Sequence, residues 1–382
     1  MSEATSATSR GPVNPTKWIA LLGRRDTPTD GVEDYCAFLG EALRLRGIEL
    51  EQARVPWMEL GWIGALRQLR RQCRDWNGRR VLLQYTALAW SRRGFPIPAL
   101  IVLAMLRRGG ARAAIVFHEP YRQGERWPRW IDRIRGACQD WVIGRLYKGA
   151  AKCIFADPLE TIGWLPKVHS KAAFIPIGAN IPQVPLRPEP CGEKNGAAKT
   201  VAVFCLTEPP NRERELADIS HAVRSAAMNG TRVRVLFTGR GTAEARDDIE
   251  RAFRGVPAEV SVLGLLSACD VSETLARSDA MLCVRGRINP RRGSVIAGIA
   301  CGLPIIGYAG AAESTPLAEA GVELVRYGDR VALGAALTRV LADANLRQRL
   351  REKSVYALQK YFSWDMIAKA FVASLETGTS GD

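Results

Sequence analysis

Histidine is scarce, three in 382 residues, and no two of the nine cysteines stand in a Cys-x-x-Cys pair. Those shortages remove the ligand spacings of a zinc site and the framework of a disulfide-stapled secreted scaffold. Long apolar runs are missing too. The longest, Ile97 to Leu106, is about half of the roughly 20 residues a bilayer crossing takes. The opening segment MSEATSATSR is polar and has no signal-peptide apolar core, so the expected compartment is the cytoplasm. Acidic residues are in deficit: 39 Asp and Glu face 54 Lys and Arg, a net charge of +15. Through Pro190 the counts are 29 basic and 17 acidic, net +12; beyond it they are 25 and 22, net +3. The first half is therefore expected to face something anionic. What is present in ordinary measure, 47% hydrophobic and 24% charged residues, marks a folded chain, and its length suggests two domains.

Two series of alternating strands and helices are legible. In the first half, strands are predicted at Trp18–Leu22, Val81–Tyr85, Ala113–Phe117, Ile154–Ala156 and Ala172–Pro176, with helices at Gly31–Arg46 and Ile97–Arg107. In the second half, strands are predicted at Val201–Cys205, Val233–Phe237, Val260–Leu263, Ala280–Val284, Pro304–Tyr308 and Glu323–Val325, with helices such as Arg212–Met228 and Asp270–Arg277 between them. Two helices, Val331–Ala342 and Leu346–Lys360, and a terminal segment Trp364–Leu375 close the chain. Such alternation is the signature of parallel, helix-covered sheets. Residues 1–15 read as a disordered leader, 16–182 as one domain, 183–199 as a proline-rich linker and 200–362 as a second domain. Residues 363–382 are expected to pack back on the first domain. Ligands of doubly wound sheets bind at the carboxyl ends of the strands, so a cleft between two such domains is the natural site.

The most informative stretch is RGRINPRRGSVIAGIACGLPIIGYAG, residues 285–310. A basic loop follows a strand, and a helix begins near Gly293–Ser294 and stops at Gly302. Arg291, Arg292 and the Ser294 hydroxyl then sit where unpaired backbone amides and the helix dipole favour an anion, and two guanidiniums make a diphosphate the natural occupant. A capped surface helix preceded by solvated arginines would read the same way.

From here the chain resembles the group 1 glycosyltransferases (glycosyltransferase family 4, GT-B fold), over most of its length and in the family's order of motifs. Gly31-Val32-Glu33 is similar to its glycine-rich loop, FHEP at Phe117–Pro120 to the His-Glu over the donor sugar, and IPIGANIP at Ile175–Pro182 to the exit from its first domain. LFTGRG, the run Val260–Val284, IACGLPIIGYAGAAES and YFSWDMIA match further motifs. The resemblance implies an α/β protein of GT-B architecture, two doubly wound Rossmann-like domains facing a cleft. It also implies retaining transfer of a sugar from a nucleotide-sugar donor to a saccharide or lipid-linked acceptor, as in bacterial surface polysaccharide or glycolipid synthesis. On it, His118 and Asn289 are the catalytic candidates; Arg291, Arg292, Gly293, Ser294, Arg212 and Gly31 are the diphosphate candidates; Arg240, Gly264, Leu265 and Ala297 are those for the nucleotide. No metal or other cofactor is expected.

The chain departs from the family at one point. Aligned on Ala300–Pro304, the family's two glutamates, eight positions apart, fall on Asn289 and Ala297. Losing a buried charged acceptor is worth roughly 1.5–3 kcal/mol, which shifts the binding energy toward the diphosphate. It also motivates the alternative of a catalytically silent homologue acting as a scaffold. Arg212 and Arg214 fall near the family's phosphate ligands but would equally form a solvated helix start; Arg240 would equally serve a surface turn, and Glu313 would face the cleft or solvent. A non-hydrolysing nucleotide-sugar epimerase would share the architecture. The stretches WIGALRQLRRQCRDW and RWPRWIDRIRGACQDWVIGRLYK space apolar residues near the helical period with arginines between. Each is either a solvated helix face or a surface for anionic lipid, peripheral on the inner face of a cell membrane. Nucleic acid is not the expected partner, since no nucleic-acid module is recognisable.

Overall fold

The computed structural model describes residues 16–27, 30–122, 129–182, 197–310 and 316–376. The predicted leader, most of the predicted linker and Glu313 lie outside these residues. The chain divides into two compact units, through Cys153 and from Ile154 onward.

The first sheet is built by β1 (Thr16–Leu22), α1 (Gly31–Arg44), β2 (Ile48–Arg54), α2 (Trp57–Asp75), β3 (Arg80–Tyr85), α3 (Ile97–Arg108), β4 (Arg112–Phe117), α4 (Arg129–Gly149), β5 (Lys152–Phe155) and β6 (Ala172–Phe174). Its strand order is β2-β1-β3-β4-β5-β6, and β2, β1, β3 and β4 run parallel. Hydrogen bonding keeps β5 and β6 in this sheet, while the division between the compact units falls inside β5. The middles of the central strands are apolar on both sides because helices cover both faces, and Ile19, Leu21, Val81, Leu83 and Ile115 are fully buried. The winding reverses at β1, so right-handed crossovers put α1 on one face and α2, α3 and α4 on the other. Gly23, just past β1, shows how tightly the reversal is packed: a Cβ there would stand 2.3 Å from the Ala89 carbonyl oxygen.

The second sheet follows the same logic through β7 (Lys199–Phe204), α5 (Asn211–Met228), β8 (Val233–Thr238), α6 (Arg246–Ala252), β9 (Ala258–Gly264), α7 (Ala268–Ala276), β10 (Ala280–Arg287), α8 (Gly293–Ala300), β11 (Ile305–Tyr308) and β12 (Val322–Val325). The order β12-β11-β10-β7-β8-β9 is parallel at every pair. One apolar cluster joins α5 and α9 (Arg330–Ala342) to one face; another joins α7 and α8 to the other. α10 (Ala344–Ala357) and α11 (Trp364–Glu376) complete this unit, and the Trp364 indole donates to the Ala179 carbonyl at 2.9 Å.

Three elements differ from the sequence reading. β2 is an additional strand: IELEQAR shows no clean alternation because it lies at the sheet edge with four of its seven residues exposed or half-exposed in succession. The short helix α6 is also additional. β10 runs three residues past its predicted end, because Gly286 at φ 68° lets the strand bulge and resume pairing at Arg287 with Tyr308.

Candidate functional site

In the second sheet the winding reverses between β7 and β10, and the loops leaving their carboxyl ends converge there. The turn after β7 is fixed by strain and by a buried carboxylate. Cys205 takes φ 69°, and Glu215, fully buried on α5, accepts from the Thr207 amide at 3.0 Å and its hydroxyl at 2.6 Å. The Leu206 amide donates to the Arg240 carbonyl at 2.9 Å, and the Gly239 amide to the Gly264 carbonyl at 2.7 Å. The ends of β7, β8 and β9 are thereby laced into one edge, which carries Arg240, Gly264 and the exposed Leu265.

Across from β7, α8 begins at Gly293 with Arg292 at its N-cap and no side chain capping its first amides. It ends as the sequence reading has it: Gly302 at φ 66° and Leu303 return their amides to Ile299 and Gly298, a Schellman stop. Asn289 sits in the loop before α8, where its side-chain oxygen accepts from the Arg291 amide at 3.1 Å and shapes the turn. Arg291 pairs through Nε with Asp157, itself buried, at 2.6 Å. Arg292 lies inward; its Nη2 reaches the Arg287 carbonyl at 3.3 Å, and its Nε is buried with no acceptor. Burial is the main force pushing its guanidinium toward the neutral form, helped by Arg285 and Arg291 and opposed by Glu215 and Cys283. The Ser294 hydroxyl is buried beside the Cys283 thiol, which burial raises and which Arg292, Arg285 and Ser294 hold back.

Two more arginines join this group: Arg285, which the sequence analysis did not single out, and Arg214, which it weighed together with Arg212. Arg285 Nε is buried without an acceptor, and its charge acts on Cys205, Cys283 and Arg292. Arg214 Nε is likewise buried without an acceptor, and its guanidinium stands 5.4 Å from the Tyr327 ring, which Arg287 approaches at 5.0 Å. A guanidinium nitrogen buried without an acceptor is costly. The Nε atoms of Arg214, Arg285 and Arg292, three half-buried side chains, are in that state, with Glu215 the buried anion that acts on Arg292. The edge is chemically fitted to a compact, multiply charged anion.

The remaining candidates are placed differently. Arg212 is buried and occupied: its Nε donates to the Thr207 carbonyl at 3.1 Å and it pairs with Asp248 at 3.4 Å, so it braces the β7 loop. Ala297 is 2% exposed among the apolar residues of the α8 cluster, with its methyl turned into the core. Gly31 belongs to the first unit. The amides of Val32 and Glu33 beside it already donate to Asp30 at 3.0 and 3.2 Å, which leaves that helix start capped by a carboxylate. His118, at the carboxyl end of β4, shares a 2.8 Å hydrogen bond between Nε2 and Gln84 Oε1 and meets Tyr35 of α1 edge-on at 5.0 Å. The start of α1 and His118 are thus brought together at the carboxyl edge of the first sheet. Among the described residues, no three His, Cys, Asp or Glu side chains are grouped to hold a metal ion, and no helix is long and apolar enough to cross a membrane.

Neither a protein-family model nor a curated protein sequence matches the chain. Solved structures do match. HepE of Anabaena, in complex with UDP and glucose, is similar at TM-score 0.65 and 13% identity over 95% of this chain and 100% of that one. A glycosyltransferase from Rickettsia africae gives TM-score 0.68 and 12% identity over 97% and 100%. Sucrose-phosphate synthase from Thermosynechococcus elongatus gives 0.66 and 15% over 95% and 98%. At these identities the likeness establishes the fold: two Rossmann-like domains with parallel sheets, the GT-B architecture expected from the sequence.

Proposed function

We propose that this chain is a retaining glycosyltransferase that takes a sugar from a nucleoside-diphosphate donor and passes it to a saccharide or lipid-linked acceptor, in surface polysaccharide or glycolipid synthesis. The observation that carries the reading is the set of buried, acceptor-less guanidinium nitrogens of Arg285 and Arg292 beside the uncapped start of α8. In this reading the Gly293 and Ser294 amides and the guanidiniums of Arg285 and Arg292 receive the diphosphate. Arg291 contributes by exchanging its Asp157 partner for a phosphate oxygen. As the bond from the sugar to the diphosphate breaks, negative charge grows on the leaving phosphate, and donors already fixed in place stabilise it without reorganising. These groups do the neutralising, so transfer proceeds without a divalent ion. The Arg240, Gly264 and Leu265 edge takes the nucleoside. The acceptor belongs to the first unit, whose sheet edge presents His118. The likeness in fold to HepE, whose structure holds UDP and glucose, supports the donor class.

A thermal-shift panel of UDP, GDP, ADP, CMP and TDP tests this. One nucleoside diphosphate should raise the melting temperature of the wild type, and Arg291→Ala with Arg292→Ala should lose most of that shift. Stabilisation by none of them would turn the reading toward a catalytically silent homologue.

A further inference from the structure

We propose that the outer surface of the α2–α4 layer docks on an anionic membrane surface. The three helices lie on one face of the first sheet, and α3 packs against both α2 and α4. On α4, Trp130, Ile134 and Trp141 are 65%, 56% and 53% exposed. Spacings of four and seven place them on a single stripe. Ile97 and Ile101 of α3 are 46% and 45% exposed, and Ile63 of α2 is 71% exposed. These helices hold eight of the sixteen exposed large hydrophobics among the described residues, so the exposure is concentrated on one layer rather than scattered.

Charge identifies the occupant. The three helices carry 11 basic and 4 acidic residues, net +7. Arg133 and Arg145 are exposed beside the tryptophans. The acids of α4 do not offset them: Asp140 accepts from Arg122 Nε at 2.8 Å, and Asp132 pairs with Arg135 at 2.7 Å. Exposed tryptophan with arginine alongside is the composition of an interfacial helix, with apolar rings for the acyl boundary and cations for anionic headgroups. A second copy meeting this face by two-fold symmetry would set the same positive surface against itself.

Co-sedimentation with vesicles tests the proposal and involves no nucleotide, so its failure would leave the glycosyltransferase reading untouched. The wild type should bind vesicles containing about one-third phosphatidylglycerol and blue-shift its tryptophan emission, with little binding to phosphatidylcholine alone. Arg133→Gln with Arg145→Gln should weaken partitioning about 30-fold, near fivefold per charge. Trp130→Ser with Trp141→Ser should weaken it about tenfold or more, with an unchanged melting curve because both residues are exposed. Equal binding to both vesicle types, or none to the anionic ones, would overturn the proposal. So would a dimer in light scattering that the tryptophan variant loses, or retention of RNA by this face in place of vesicles.

Discussion

Replacing Arg292 by methionine sets folding stability against ligand affinity. In the folded chain this guanidinium is pushed toward its neutral form, first by burial and then by neighbouring Arg285 and Arg291. Its charge is therefore less favourable folded than unfolded at any pH where arginine is protonated, and removing the charge removes that cost. Methionine keeps an unbranched, adaptable stem in the same space. What is lost is one hydrogen bond to the Arg287 carbonyl that is long, at 3.3 Å, and solvent-exposed, which keeps it near the low end, on the order of 1 kcal/mol. The melting temperature without ligand should hold or rise slightly. Affinity should move the other way: a charge-assisted bond to phosphate is worth about 1.5–3 kcal/mol, so nucleoside-diphosphate binding should weaken about 10- to 150-fold. Calorimetric unfolding without nucleotide and titration with it read the two quantities separately. A melting temperature lower by more than about 3 °C, roughly 1 kcal/mol for a domain this size, with unchanged affinity would make Arg292 a structural residue and refute the reasoning.

Two further outcomes follow from the packing. Burial raises the Cys301 thiol to about 12 and the Cys36 thiol further; the unfolded chain ionises these groups near 9, so the stability they contribute is complete below that pH and is lost as pH rises, by up to about 1.4 kcal/mol per pH unit per thiol. Melting temperature should fall between about pH 9 and 11, and Cys301→Ala should flatten the fall; a flat wild-type profile would contradict the burial argument. Gly23→Ala would place a methyl 2.3 Å from the Ala89 carbonyl oxygen, so the loop must move, at about 1–3 kcal/mol; an unchanged melting temperature would show that the β1–β3 junction is slack.

The parts of the fold that buried strands and terminal signals specify were legible in the sequence. α8 was, because Gly302 closes it, and so was the alternation of the second sheet, because β7, β10 and β11 have continuous apolar centres and β8 and β9 keep apolar residues at every second position. β2 was not, since an edge strand with exposed residues loses its period. At the site, the loop and helix start from Arg291 to Ser294 stood out because a helix N-terminus has a sequence signature. Arg285 did not, because its role depends on β10 continuing through a bulge at Gly286 that periodicity does not announce. Arg212 and Arg214 were indistinguishable by type; helix phase turns one into a brace on Thr207 and leaves the other beside Tyr327. Ala297 was drawn from an aligned position, and its phase on α8 points it into the core. Gly31 was drawn from the resemblance, although Asp30 just before it is a preferred N-cap residue and takes the neighbouring amides.

The second phosphate separates a diphosphate site from a general nucleotide site. Titration calorimetry comparing the mono- and diphosphate of the nucleoside that stabilises the protein measures it directly. The diphosphate should bind at least tenfold more tightly, and Arg291→Ala with Arg292→Ala should erase most of that difference. Equal affinities for the two nucleotides in the wild type, or a difference that survives in the double variant, would contradict a diphosphate site at the start of α8.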